Sequence, residues 1–385
     1  MKIGTVHMMH QLPGQTEQQV LTESVERMEL ADRLGYYASW TTEHHFATDP
    51  SYLPYGLEHA RFPAYDLASD PLTFLTFVAA RTKQLRLGTA VLVLPYDNPI
   101  RVAERAAMLD VLSGGRLELG IGRGSGAREH AAFGLPIGGN RAQYHEALEI
   151  LQLAWTGEPF SFEGDYFQIP ELAVVPKPLQ QPHPPIYLGS GSPESIRLAA
   201  ESGFAYCSVA GSWGPFGLDR HKQVRDLYLA NAAAAGRDVS GSRHPHVLLM
   251  YCAETDEAAE EVALHYITQF TLLVEAHYER QRLGGATIGA LTPEATAEDI
   301  RLLAHEMLPL NIIGSPQTCI RKLEAFRQVV DLKYFLGFVD FGGIPHDLVL
   351  GSMERFAREV MPHFADHAAA TRPVSLSAAR GGTAG

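Results

Sequence analysis

The stretch "LRLGTAVLVLPYDNPIRVAERAAMLDVLSGGRLELGIG", residues 85–122, decides the fold class. Its two ends are apolar runs that predict buried strands. Between them, Asn98 is a typical N-cap, Pro99 suits a first helical position, and Gly114 and Gly115 suit a helix end. A strand, a helix and a second strand in this order predict a βαβ unit whose strands are parallel.

The same alternation continues along the whole chain. Eight segments are predicted as strands: KIGTVHMM, YYASWTT, LRLGTAVLVLP, RLELGIG, PIYLGS, AYCSVAG, HVLLMYCAE and YFLGFVDF. Helices are predicted at 16–34, 71–83, 98–113, 140–156, 193–202, 219–235, 256–310 and 316–330, with a last one that ends at Phe364. Eight such units predict an α/β fold, a single (β/α)8 TIM-type barrel with insertion loops at its C-terminal mouth. An open doubly wound sheet is the alternative.

One domain is expected to occupy residues 1–365, because no shift in composition marks a boundary within them. Residues 366–385 are rich in Ala, Gly and Ser and lack aromatic side chains. A segment of this kind cannot bury enough apolar surface to fold, so a disordered tail is predicted.

The composition excludes several classes of protein. The 385 residues are 46% hydrophobic and 19% charged, as in ordinary globular proteins. The net charge of −13 argues against general nucleic-acid binding. No apolar run is long enough for a membrane span, and the N-terminus lacks the features of a secretory signal. Cys207, Cys252 and Cys319 are odd in number and far apart, which argues against a disulfide framework and favours the cytoplasm.

The segment "EHHF", residues 43–46, follows the second predicted strand. In a (β/α)8 barrel, the ends of the strands carry the active site. Successive side chains of a strand point to opposite faces, so His44 and His45 are poorly placed to share one metal ion, and no metal is expected. Two interpretations stay open: Glu43 fixes an imidazole in a structural cluster, or one histidine is an acid, a base or a hydrogen-bond donor.

Two glycine-rich segments follow later strands. "GIGRGSGAREH", residues 120–130, brings Gly122 and Arg123 to a strand end, and it is a weak match to a dinucleotide fingerprint. "GSGSPES", residues 189–195, leads into a helix with Ser192 as N-cap. Ordinary capping explains the second segment, but hydroxyls and amides at a helix N-terminus also bind phosphate.

These segments together resemble the bacterial luciferase-like, flavin-dependent monooxygenases, from residue 2 to Phe364. The resemblance also rests on "DPLTFLTFVAARTKQLRLGTAVLVLP", "NPIRVAERAAMLDVLSGGRLELGIGRG", "IIGSPQTCIRKL" and "FGGIPHDLVLGSMERFAREVMPH". It implies a (β/α)8 barrel that takes reduced FMN from a separate NAD(P)H-dependent flavin reductase. The reduced flavin would react with O2 to a flavin hydroperoxide that oxygenates a small organic substrate. A homodimer is a family expectation.

Site roles follow from the resemblance by position. His44 matches the histidine that supports the peroxide chemistry, with Glu43 or His45 orienting it. The implied cofactor-binding residues are Thr73, Phe74, Gly122, Arg123, Gly191, Ser192 and Ser195, of which Thr73 and Phe74 would lie under the isoalloxazine ring. Luciferases proper carry a cysteine where this chain has Gly122, so light emission is not implied.

Long loops are the expected lids of this site. Residues 47–69 are rich in Pro and Tyr, and long loops in compact domains are often functional. Four aromatic residues of this loop are expected to line the site of a mainly apolar substrate: Tyr52, Tyr55, Phe62 and Tyr65. Residues 281–296 form a second candidate lid.

Three other functions remain open at this stage. A deazaflavin-dependent hydride-transfer enzyme shares the fold, although its relatives tend to carry Asp before the histidine where this chain has Glu43. A non-catalytic flavin-binding subunit and a metal-dependent barrel hydrolase are the others. The apolar stripe of the helix at 98–113 suits either a dimer contact or packing within the fold. That stripe is formed by Ile100, Val102, Ala103, Ala106, Ala107 and Leu109.

Overall fold

The computed structural model describes residues 1–12, 14–46, 66–136, 139–189, 192–208, 217–278 and 297–365. Its strands are β1 Lys2–His7, β2 Ala38–Thr41, β3 Arg86–Thr89, β4 Leu92–Val93, β5 Leu117–Gly122, β6 Phe160–Glu163, β7 Gln168–Leu172, β8 Ile186–Gly189, β9 Ala205–Cys207, β10 Pro245–Cys252, β11 Ile312–Gly314 and β12 Tyr334–Phe338. Its helices are α1 Glu17–Leu34, α2 Pro71–Arg81, α3 Pro99–Leu112, α4 Ala127–Ala132, α5 Arg141–Trp155, α6 Pro193–Ser202, α7 Leu218–Ala234, α8 Asp256–Tyr278, α9 Ala297–Met307, α10 Pro316–Val330 and α11 His346–Glu359.

The main sheet is parallel and follows the order β11-β10-β12-β1-β2-β3-β5-β8-β9, with β4 beside β5. All eight predicted strands belong to it, which confirms the α/β class with a mostly parallel sheet. A parallel bridge also joins Ser208, just after β9, to His246 in β10. The backbone N–H of Val247 donates to the carbonyl of Ser208 at 2.8 Å.

The sheet is strongly curled. Glu118 lies on β5 and Tyr334 on β12, and three strands separate β5 from β12 in the sheet order. Nevertheless the Tyr334 hydroxyl donates to Oε2 of Glu118 at 2.7 Å. Trp40 Nε1 (3.2 Å) and Arg86 Nε (2.9 Å) also donate to this carboxylate. Such contacts require the strands to wrap around a shared interior, which these polar side chains fill towards the amino ends of the strands.

The predicted helix ends agree with local sequence chemistry. Asn98 caps α3 by accepting the N–H of Ile100, and Ser192 caps α6 by accepting the N–H of Ser195. The stripe on α3 packs inside the fold: Val102, Ala103 and Ala106 are fully buried. The packing interpretation of this stripe is therefore confirmed.

Three elements were not predicted. The hairpin β6–β7 is antiparallel and lies outside the main sheet. The short strand β11 pairs with β10. The six-residue helix α4 begins after Gly126, which offers no side-chain cap. The predicted third strand is also shorter than expected, because β3 ends at Thr89 and a 3-10 turn occupies Leu94–Tyr96.

Three further observations bear on the sequence-based expectations. Cys207, Cys252 and Cys319 are free and buried, as expected. Within the described ranges, no helix has the length and apolar character that a membrane crossing requires. The tail 366–385 lies outside the described residues.

Candidate functional site

Three predicted site residues each follow the carboxyl end of a strand: His44 follows β2, Arg123 follows β5 and Ser192 follows β8. These strands lie near one another in the sheet, in the order β2-β3-β5-β8. Because all these strands are parallel, their carboxyl ends meet at one edge of the curled sheet. This edge is where a functional site is expected in such folds.

His44 lies against a buried carboxylate that the sequence did not single out. Only 13% of the His44 side chain is exposed, and its Nδ1 lies 3.6 Å from Oε1 of Glu129, which is 3% exposed. The same Oε1 accepts the backbone N–H of His45 at 2.7 Å, and the backbone N–H of His44 donates to Ala68 at 3.3 Å. The helix α4 therefore holds the strand-two ending in place through Glu129.

The surroundings of His44 favour its protonated form. Burial alone would lower the pKa of the imidazole, because it penalises the charged ring. The nearby carboxylate of Glu129, together with the charges of Asp66 and Glu43, outweighs burial and raises the pKa of His44 above its ordinary value of 6.5. The ring can therefore hold a proton near neutral pH and give it to an adjacent group.

The described side-chain contact of the Glu43 carboxylate is with the ring of His45. Its Oε1 lies 3.1 Å from Nε2 of His45, and its Oε2 accepts the backbone N–H of Val93 at 2.7 Å. Burial raises the pKa of Glu43, although the hydrogen bonds from His45 and Val93 oppose this shift. The expectation that Glu43 or His45 orients His44 stays a prediction. In the described contacts, the carboxylate of Glu129 lies 3.6 Å from the His44 ring.

A chain of contacts runs from Glu129 to Arg123. The Tyr96 hydroxyl donates to Oε2 of Glu129 at 3.0 Å and lies 3.1 Å from Nδ1 of His130. Nε2 of His130 lies 3.1 Å from Nδ2 of Asn140, whose Oδ1 accepts from Nη1 of Arg123 at 3.4 Å. Asn140 Nδ2 also donates to the Arg123 carbonyl at 3.0 Å. The histidine end and the arginine end of the site are therefore one connected structure.

The His130 ring has a defined tautomer in this chain. Its Nδ1 lies 2.8 Å from the carbonyl of Gly126, and a carbonyl can only accept. Nδ1 therefore carries the hydrogen, and Nε2 accepts from the Asn140 amide. A neutral ring satisfies both contacts.

The N-terminus of α6 carries two predicted hydroxyls. Oγ of Ser192 accepts the backbone N–H of Ser195 at 3.2 Å and lies 3.0 Å from Oγ of Ser195. This geometry is that of an ordinary cap, so the capping function proposed for Ser192 is confirmed. The cap does not exclude a ligand, because hydroxyls and free amides at a helix start still suit an anion.

Positive charge is concentrated beside this helix start. Arg123 is half-buried, and its pKa is lowered by burial and then by the charge of Arg141. The pKa of His145 is lowered by burial and by Arg141, Arg123 and Arg197. One carboxylate lies beside these cations: Oε2 of Glu194 accepts a hydrogen bond from Nη2 of Arg141 at 3.2 Å. Arginines, hydroxyls and helix amides together fit a phosphate group, in a chain whose overall charge is negative.

Glycines line the strand ends between these two parts. A Cβ at Gly122 would collide with Val91, and a Cβ at Gly189 would lie 2.7 Å from Cγ1 of Val91. Any side chain at either position would have to displace Val91. The two glycines therefore make room for the side chain of Val91 at these strand ends. Gly191 lies outside the described residues.

The remaining predicted residues are less central in the described contacts. Thr73 is exposed in the first turn of α2, and its hydroxyl donates to Asp70 at 2.8 Å. Phe74 is partly buried and packs against the cluster that includes Met9 and Ala68, next to His44. Placement of either residue under a flavin ring stays a prediction. The proposed lid residues Tyr52, Tyr55, Phe62 and Tyr65 lie outside the described residues, as do 281–296.

Aromatic side chains extend the site beyond His45. Its ring lies edge-on to Phe133 at 4.8 Å, and Phe133 stacks on Tyr96 at 4.8 Å. Phe46 lies 5.6 Å from Phe133 and is 47% exposed. These rings form an aromatic surface, partly accessible, on the side of the site near α4.

Sequence reasoning missed the residues that join the site. Glu129, Tyr96, His130 and Asn140 are spread over 45 positions from 96 to 140 and come together only in the fold. The one local signal was the pair Glu129-His130 after a glycine-rich turn, in a segment where no helix was predicted. Across the described residues, no group of three or more His, Cys, Asp or Glu could hold a metal ion.

Comparison with known proteins gives three findings. The family described as "Luciferase-like monooxygenase" matches residues 1–332. The oxygenase component of flavin-dependent trigonelline monooxygenase from Acinetobacter baylyi is 29% identical over 97% of this chain and 98% of its own length. The oxygenating constituent of 3,6-diketocamphane monooxygenase from Pseudomonas putida, solved in complex with FMN, is 22% identical with a TM-score of 0.69, over 94% and 98% of the two chains.

A second solved structure shares the fold with a different cofactor. An F420-dependent secondary alcohol dehydrogenase is 18% identical with a TM-score of 0.69, over 95% of this chain and 99% of its own. Likeness at this identity establishes the fold and leaves the choice of flavin to the residues of the site.

Proposed function

The chain belongs to the luciferase-like monooxygenase family, and from this premise we propose that it is the oxygenase component of a two-component monooxygenase that uses reduced FMN and O2. The observation that carries the proposal is the connected chain from His44 through Glu129, Tyr96, His130 and Asn140 to Arg123. A proton-holding imidazole and a phosphate-type site thereby belong to one rigid unit. Reduced FMN, when bound, supplies the electrons that activate O2.

The residues of this chain have separate roles in the proposal. Arg123, Ser192 and Ser195 hold the phosphate of FMN, and Gly122 lies at the strand end beside the ring system. His44 holds a proton at the strand-two ending, and Glu129 keeps it there by its charge. His45, fixed by Glu43, presents its ring to the aromatic surface. Low exposure of His44 keeps bulk water from the proton.

We further propose that residues 1–365 form one domain and that its sheet closes into a (β/α)8 barrel. The bridge between Ser208 and His246 supports closure, because it joins the continuation of β9 to β10. The loop with Tyr52, Tyr55, Phe62 and Tyr65 lies outside the described residues and stays the proposed lid of the site. A small, mainly apolar substrate is proposed because Phe46 and Phe133 leave aromatic surface beside His45.

Two protein partners belong to the proposal. A separate NAD(P)H-dependent flavin reductase supplies the reduced FMN in the cytoplasm, in line with the relative that is named an oxygenase component. A second copy of the chain covers the exposed apolar side chains Phe77, Met108 and Leu112 on α2 and α3. Analytical ultracentrifugation tests this homodimer: Leu112→Asp should give a monomer, whereas Leu302→Asp, at an exposed leucine on α9, should not.

The phosphate site is tested by comparing two flavins. Ser192→Ala should weaken FMN binding by about tenfold and leave riboflavin binding unchanged, because only FMN carries the phosphate. Ser315→Ala is the matched control, since Ser315 caps α10 in the same way by accepting the N–H of Thr318. Equal losses for FMN and riboflavin would mean that Ser192 acts through the fold alone.

The flavin is tested by its reaction with O2. Protein loaded anaerobically with reduced FMN is mixed with O2, and the absorbance of oxidised flavin is followed. The proposal expects bound flavin to reoxidise much more slowly than free flavin. Reoxidation as fast as that of free flavin, combined with tight binding of a reduced deazaflavin, would assign the deazaflavin alternative instead.

A further inference from the structure

A pocket of about 170 Å³ lies between α7 and the end of α10, at the amino ends of β10 and β12. His44, Arg123 and Ser192 follow the carboxyl ends of strands, so this pocket is at the opposite edge of the sheet from the flavin site. We propose that it binds a small organic carboxylate, with the charged group held by Arg225, Lys333 and His244.

Two cations of the pocket lower the pKa of the same imidazole, that of His244. Arg225 on α7 and Lys333 before β12 line the pocket, and both of their charges reach His244. Two carboxylates face these cations: Asp331 lies 3.1 Å from Nζ of Lys333, and Asp226 lies 3.8 Å from Nη1 of Arg225. Both pairs are substantially exposed, and exposed ion pairs are weak. The cations therefore remain available to an anion.

His244 supplies a neutral donor. Burial, and after it the charges of Lys333 and Arg225, lower its pKa to about 3, so the ring is uncharged at neutral pH. Its Nδ1 accepts the backbone N–H of Tyr206 at 3.2 Å. The hydrogen of the ring is therefore on Nε2. The hydroxyls of Ser240 and Ser242 add further donors to the same lining.

The rest of the lining is aliphatic. Leu229, Val239 and Val330 provide apolar surface beside the cations and hydroxyls. A bare inorganic ion would leave this surface in contact with water. At about 30 Å³ for each water in the liquid, the volume of about 170 Å³ corresponds to roughly six non-hydrogen atoms. Butyrate has this size, a single negative charge and a short aliphatic chain.

Asp331 makes the proposal testable in both directions. It competes with a ligand for Lys333, so its neutralisation should strengthen binding. Its backbone is left-handed, with φ 53° and ψ 51°, a conformation that Asn adopts as readily as Asp. Asp331→Asn therefore removes the charge and preserves the backbone. Lys333→Met removes the cation, and its side chain is 47% exposed, so the fold should tolerate the change.

The experiment is calorimetric titration of the full chain with sodium butyrate at constant ionic strength. Butyramide, which has the same shape without the charge, should bind at least about tenfold more weakly. Lys333→Met should weaken butyrate binding by roughly fivefold, and Asp331→Asn should tighten it. Lys83→Met, which removes an exposed charge elsewhere, should change nothing.

Three outcomes would overturn the proposal. Butyramide that binds as tightly as butyrate would mean that the charges take no part. Inorganic phosphate that binds more tightly than butyrate would assign the pocket to bare oxyanions. An Asp331→Asn variant without tighter binding would place the ligand away from Lys333. FMN binding is measured on the same samples and should be unaffected by all these variants.

Discussion

Buried histidines in two regions of the molecule have pKa values that shift in opposite directions: His44 in the candidate site, and His221, His244 and His246 near the amino end of β10. Burial acts on His44 as it acts on His244 and His246, and in each case it favours the neutral ring. Yet the pKa of His44 is raised, whereas the pKa of His244 falls to about 3 and that of His221 falls to about 4.

The difference comes from neighbouring charge. Three carboxylates, those of Glu129, Asp66 and Glu43, act on His44. His221 and His246 instead face each other, with their Nδ1 atoms 3.2 Å apart, and no carboxylate contributes to either pKa shift. Burial of an imidazole therefore does not identify a proton-transfer site. Neighbouring carboxylates make a buried imidazole a stronger candidate, because their charges favour its protonated form.

Replacement of His44 should give the largest effect in this comparison. We expect His44→Gln to reduce product formation by about 10²-fold or more, the usual contribution of a positioned proton donor. The thermal midpoint should change little, since Gln fills a similar volume. His244→Gln is the control and should retain turnover. Loss of activity in both variants to the same extent would show that the two histidine groups do not differ in role.

Replacement of Glu129 should give a smaller effect with a diagnostic pH profile. Glu129→Gln preserves an acceptor for the backbone of His45 but removes the charge beside His44. Turnover should fall about tenfold at pH 8, and the alkaline limb of the profile should move to lower pH. Glu201→Gln removes an exposed charge on α6 and should leave the profile unchanged. A uniform loss at every pH would assign Glu129 a purely structural role.

The last prediction concerns stability against pH. His244 has a folded pKa of about 3, below its unfolded value of 6.5, so the unfolded state binds more protons between these values. Its contribution should therefore cost about 2 kcal/mol of stability as pH falls from 7 to 5. His44 has the opposite sign: its contribution is present below pH 6.5 and is lost as pH rises through its folded pKa.

Urea unfolding at pH 5 and pH 7 separates the two histidines. His244→Gln should remove only its own share of the acid-side loss, because His221 and His246 also have lowered pKa values and remain in the variant. His44→Gln should remove the gain on the acid side. If both variants keep the pH dependence of the unsubstituted protein, neither histidine has the shifted pKa on which the comparison rests.

Most of the fold could be predicted from the sequence because its signals are local. The cap at Asn98, the cap at Ser192 and the apolar strand runs depend on neighbouring residues, and each is observed. The helix α4 could not be predicted, because its six residues follow Gly126 without a side-chain cap. The hairpin β6–β7 alternates weakly between buried and exposed positions, so it carried no clear period.

The candidate site likewise contains residues that the sequence could predict and residues that it could not. His44, Arg123 and Ser192 could be proposed because each follows a predicted strand, where such folds carry their chemistry. Glu129 could not, because its role depends on a contact between residues 85 positions apart in sequence, with His44 after the end of β2 and Glu129 on α4. Adjacency in sequence suggested that Glu43 or His45 orients His44, which stays a prediction, whereas the described side-chain contact of Glu43 is with His45.

The most direct test is an NMR titration of the histidine side chains in protein with isotope-labelled histidine. The account predicts that His44 titrates above 6.5, and that its pKa falls in Glu129→Gln while His244 remains neutral down to about pH 4. A His44 ring that titrates below 6.5, or one whose pKa is the same with and without the Glu129 carboxylate, would contradict the central claim.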